Sequence, residues 1–78
     1  MQEQTLPPVI DSPKALGTAL RKTRKQLGLT QPELALASGV GVRFIVELEA
    51  GKPTIQLGRA LQVIDALGAQ LVLNGCDP

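Results

Sequence analysis

The sequence predicts an all-α domain of four short helices, closed by a short C-terminal strand. Three observations carry that expectation. Apolar residues recur three and four positions apart through most of the chain, serine, threonine and proline start signals alternate with glycine stops, and the last apolar run changes to simple alternation.

Residues 1–11 contain "LPPVID", whose consecutive prolines favour an extended arm with no domain of its own. Ser12 can cap the free amides of a helix whose first position suits Pro13. The first helix is predicted over residues 13–27, with Leu16, Leu20, Thr23 and Leu27 on one stripe and Gly28 closing it. Thr30 followed three residues later by Glu33 is a capping box, which places the second helix over residues 31–37 with Leu34 and Ala35 inward. Gly39 ends it and Val40 fills the turn. The third helix spans Val42 to Ala50, with Ile45 and Leu48 as core positions and Gly51 beyond its end.

After "KPT" a fourth helix begins between residues 55 and 58 and ends at Leu67, with Gly68 as the stop. Leu57, Leu61, Ile64 and Leu67 line its inner face. Gly58 costs about 1 kcal/mol in a helix interior and less in a first turn, so it belongs near the start. In "AQLVLN" Ala69, Leu71 and Leu73 alternate with Gln70, Val72 and Asn74, which predicts a strand over residues 69–75. A lone strand exposes unpaired amides and carbonyls. Two copies pairing them would give a homodimer; a tail docked on the fourth helix is the other reading. The division is therefore an arm at 1–11, a domain at 12–68, the strand at 69–75 and a tail at 76–78.

With 78 residues the chain is one small domain, near the size below which one core supplies only a few kcal/mol, so a partner copy would add stability. It carries no histidine and a single cysteine, Cys76, which rules out an internal disulfide and a zinc site and leaves an incidental thiol near the end. No run approaches the roughly 20 apolar residues of a membrane span, and "MQEQT" lacks a signal-peptide layout, so the expected location is cytoplasmic. Net charge is only +1, but its distribution is uneven. From Lys14 to Lys52 seven basic residues face Glu33, Glu47 and Glu49, whereas the remainder is net acidic. A local basic patch is what a phosphate backbone attracts.

Gln31 to Ala50 form a helix, turn, helix arrangement: Ala35 is small where two helices cross, Gly39 makes the turn, and Leu34, Val40, Ile45 and Leu48 fix the angle. Ser38 departs from the pattern, which more often has an apolar residue there. With "RKTRKQLGLTQPELALASGV" before and "ELEAGK" after, the stretch resembles the repressor-type (XRE/Cro-like, lambda repressor-like) helix-turn-helix DNA-binding family over about residues 12–67. "SPKAL" opening the first helix, the "GKPTIQL" connection and a strand after the fourth helix look most like HipB-type antitoxins. That resemblance implies a homodimer joined by a small sheet through Ala69, Gln70, Leu71, Val72 and Leu73. It also implies autorepression at a palindromic double-stranded operator and a HipA-like kinase toxin as partner.

The resemblance carries specific roles with it. Arg24 and Glu49 fall one turn from Leu20 and Ile45 on inward faces, where unpaired charges are expensive, and their family counterparts form a salt bridge. Gln31 matches a phosphate-holding position, while Gly41, Val42, Arg43, Val46 and Glu47 match base-reading ones. Arg43 suits guanine O6 and N7; Val42 and Val46 suit thymine methyls or a protein surface; Glu47 suits cytosine N4 or steers Arg43. Phe44 belongs to the scaffold. Lys52, Arg21, Lys22 and Lys25 are phosphate candidates, with a solvated face as the alternative. No residue stands in a recognisable nucleophile or phosphate-loop setting, so no catalytic residue or cofactor is expected. Two other functions stay open: a protein-interaction module of this fold without DNA binding, and a stand-alone phage-type repressor.

Overall fold

The computed structural model describes residues 8–75. Cys76 and most of the proposed arm lie outside the described residues. Four helices follow in order: α1 (Pro13–Gln26), α2 (Gln31–Ser38), α3 (Val42–Ala50) and α4 (Leu57–Ala66). The start signals act as their chemistry requires. Ser12 Oγ accepts from the Ala15 amide at 3.0 Å, Thr30 Oγ1 accepts from the Glu33 amide at 3.2 Å, and Glu33 Oε1 accepts from the Thr30 amide at 2.8 Å. Gly39 (φ 73°) and Gly51 (φ 83°) adopt the left-handed geometry that turns the chain after α2 and after α3.

α3 lies between α1 and α2, and α4 closes the other side of α2. Leu34, Ile45 and Val63 are fully buried and Leu48 nearly so, with Leu20, Ala35, Ala60, Ile64 and Leu67 completing one core. Leu16, Val40 and Phe44 pack against its edge. α1 approaches α3 closely at Gly17, whose missing side chain leaves space for the backbone carbonyls of Leu48 and Glu49. Ser38 is buried, and its Oγ donates to the Leu34 carbonyl at 2.7 Å, so the hydroxyl is satisfied within its own helix.

Several expectations need correction. α1 ends at Gln26, and Leu27 is its half-exposed C-cap residue, at the end of the helix where the stripe runs out of core to pack on. α2 extends one residue further, to Ser38. In α4 Leu57 and Leu61 point outward, while Ala60 and Val63 are fully buried. Ala60, Val63, Ile64 and Leu67 recur three and four positions apart and form the buried stripe, which leaves the two leucines off it. The strand over 69–75 is not formed: among the described residues none is in a strand. Strand amides need a paired neighbour, and one chain supplies none. Ala69 instead packs on the core edge, its amide donating to the Ile64 carbonyl at 3.1 Å, and Leu71, Val72 and Leu73 are exposed.

Candidate nucleic-acid interface

The site is built on a buried ion pair. Arg24 Nε donates to Glu49 Oε2 at 2.7 Å and Nη2 to Oε1 at 3.0 Å, a two-point contact between α1 and α3. Arg24 Nη1 donates to the Leu29 carbonyl at 2.7 Å, tying in the connection to α2. The two side chains are 8% and 4% exposed. Hydrogen bonding to Glu49 raises the Arg24 pKa further above its already high value; burial opposes this and the attraction of the carboxylate adds to it, so the guanidinium stays charged.

Gln31, at the first position of α2, joins the same network: its Nε2 donates to Glu49 Oε1 at 3.1 Å. The side chain named as a phosphate ligand is thus held toward the ion pair. Its own backbone amide lies at a helix start, the end of a helix that attracts anions. Sequence reasoning missed both the glutamine and the Leu29 contacts. The only signal was the inward placement of two opposite charges, which says that partners exist without naming all of them.

From α3 the remaining candidates project outward. Gly41 is its N-cap without a side-chain cap bond. Val42 and Val46 are 41% and 44% exposed, whereas Ile45 and Leu48 on the opposite face are buried and Phe44 packs at the core edge. The Arg43 side chain is 90% exposed, and its Nε stands 3.4 Å from Glu47 Oε2. Lys52 Nζ stands 3.3 Å from Glu47 Oε1. These two cations, the lysine contributing more, hold the Glu47 carboxyl below the usual glutamate pKa. Arg21, Lys22 and Lys25 are exposed on α1 and share a shallow depression with Thr18, Gln26 and Glu49. The structure therefore gathers Gln31, Arg24 and Glu49 into one network and Arg43, Glu47 and Lys52 into another. No cluster of metal-ligating side chains occurs among the described residues, and no described helix is long and apolar enough to cross a membrane.

The Helix-turn-helix family model matches residues 20–73. An "Uncharacterized HTH-type transcriptional regulator y4mF" of Sinorhizobium fredii is 52% identical over 62 residues, 80% of this chain and 82% of that protein. An "Uncharacterized HTH-type transcriptional regulator" of Methanothermobacter thermautotrophicus is 43% identical over 53 residues, 68% of this chain and 77% of that protein. Among solved structures, a chain of a "HipB-O4 20mer complex" superposes with TM-score 0.81 at 27% identity, covering 90% of this chain and 99% of the other. A chain of the "HipA-HipB-O2-O3 complex" gives TM-score 0.79 at 30% identity, covering 90% and 96%.

Proposed function

This chain belongs to the Helix-turn-helix family, a family of transcriptional regulators, and from that premise we propose that it is a sequence-specific DNA-binding repressor. The observation that carries this reading is the division of α3 into two faces. Ile45 and Leu48 anchor it in the core, so Val42, Arg43 and Val46 are presented together on a rigid support beside the start of α2. In this reading Arg43 supplies bidentate bonds to guanine, and Val42 and Val46 meet thymine methyl groups. Lys52, Arg21, Lys22 and Lys25 meet phosphates and set register and salt dependence.

The active species is a homodimer on a palindromic operator, with half-sites about one helical turn, roughly 34 Å, apart. Leu57, Leu61, Leu71, Val72 and Leu73 support dimerisation, because all five are exposed along α4 and the segment after it. In the dimer the residues 69–73 pair with their symmetry mates as a small sheet. The resemblance to HipB chains, one of them solved together with HipA, supports the role of an antitoxin that represses its own operon and binds a HipA-like kinase. The cytoplasm is where such a repressor meets its operator.

A mobility-shift assay on the gene's own upstream region tests the proposal. Tight binding that weakens steeply with salt is expected. Its absence, with capture of a protein instead, would establish the interaction module that the low net charge and the exposed Val42 and Val46 favour. Co-purification of a kinase-like protein encoded beside the gene separates the antitoxin from a stand-alone repressor.

A further inference from the structure

Glu47 stands between two cations with different tasks. Its Oε2 faces Arg43 Nε at 3.4 Å and its Oε1 faces Lys52 Nζ at 3.3 Å, so each carboxylate oxygen already has a partner. Lys52 reaches it because Gly51 turns the chain back: the Lys52 amide donates to the Glu47 carbonyl at 3.1 Å, and the ammonium returns to the same residue's carboxylate. Neither contact is short, and the Arg43 side chain remains almost wholly in solvent, so both cations can leave for a better acceptor.

We propose that Glu47 is a positioning residue that sets the ratio of operator to random-sequence binding, by tethering Arg43 and Lys52 and by placing one negative charge on the DNA-facing surface. This rests on the DNA-binding function proposed above. On a random duplex the two cations exchange a carboxylate for phosphates while Glu47 is pressed toward the same phosphates, so little is gained. At the operator Arg43 exchanges one long contact for two directed bonds to a guanine edge, and the exchange is favourable. Glu47 therefore penalises every complex in which Arg43 lacks its base.

The test is E47Q, which keeps the shape and removes the charge, with operator and random duplexes of equal length titrated at several salt concentrations. Random-duplex affinity should rise about three- to tenfold, with a salt slope steeper by about one unit, since one more effective cation meets phosphate. The operator-to-random ratio should fall by a similar factor. In an Arg43→Ala background E47Q should leave the base-by-base profile unchanged. An operator-to-random ratio that E47Q leaves unchanged or raises overturns the role. So does a loss confined to one cytosine position with random-duplex binding unaltered, which would make Glu47 a base acceptor. A wild-type chain without preference for the upstream region is a different result: it refutes the repressor function itself, and this role with it.

Discussion

Replacing Gly17 by alanine sets two effects of known sign against each other. Gly17 is interior to α1, so on propensity alone alanine stabilises by about 1 kcal/mol. The added Cβ, however, would meet the carbonyl oxygen of Leu48, the carbonyl oxygen of Glu49 at 2.7 Å and the Glu49 carbonyl carbon at 2.9 Å. All three are backbone atoms of the last turn of α3, which cannot rotate aside as a side chain would. α1 and α3 must then separate by roughly 1 Å, and overpacking of this kind costs about 1–3 kcal/mol. With backbone as the obstacle the upper end applies, leaving a net destabilisation of about 2 kcal/mol. For a domain of this length that lowers the melting temperature by about 8–16 °C. Thermal unfolding followed by circular dichroism reads it directly. Gly58→Ala is the control, because Gly58 lies in the first turn of α4 with nothing within 4 Å of its added carbon. It should stabilise by about 0.4–1 kcal/mol. A Gly17→Ala protein that melts at or above the wild type would refute the close approach of the two helices.

Four further outcomes are expected. Arg24→Ala and Glu49→Ala each leave one buried charge unpaired and should destabilise by about 3–5 kcal/mol in denaturant titration; Arg24→Met with Glu49→Leu should be far milder than their sum. Arg43→Ala should weaken operator binding by about 1–3 kcal/mol and relax one base position, whereas Lys52→Ala should weaken all sequences alike and flatten the salt slope by about one unit. The Glu47 carboxyl, followed by NMR, should titrate below the usual glutamate range and move up in Lys52→Ala more than in Arg43→Ala. Because its folded-state pKa is depressed, its contribution to stability is present above the unfolded value and is lost as pH falls through the lowered one. Val72→Pro removes an amide that the proposed pairing between copies would use and should abolish the dimer; a protein that remains dimeric by light scattering would remove the pairing of residues 69–73.

What the sequence made legible was chiefly local. Ser12 with Pro13 and Thr30 with Glu33 fix helix starts through bonds made within three residues, and α3 runs over the predicted Val42–Ala50 between two chain-turning glycines. The buried face of α4 was not legible. Leu57, Leu61, Ile64 and Leu67 and the set Ala60, Val63, Ile64 and Leu67 are both helical stripes; hydrophobicity favours the first, whereas the folded chain buries the second. Gln31's attachment to Glu49 joins residues 18 apart, and Lys52's return to Glu47 depends on the turn at Gly51. Neither leaves a periodic trace. The strand failed for a related reason: alternation describes a surface that can pair, and the described residues offer no second strand for it.

The Arg24 guanidinium also governs how the domain opens. Its bonds reach α3 through Glu49 and the start of α2 through Leu29, and Gln31 closes the ring. Fraying of α3 alone would strand this cation without its counter-ion, so the fluctuation that exposes the amides of Ile45 and Leu48 must release α1 as well. Those amides should therefore exchange with solvent deuterium at the rate of their counterparts around Leu20, as one cooperative unit, while α4, which packs on α2, can open on its own schedule. In the proposed DNA-binding role, a helix locked in this way would meet its ligand already ordered, and binding would carry no folding entropy for α3.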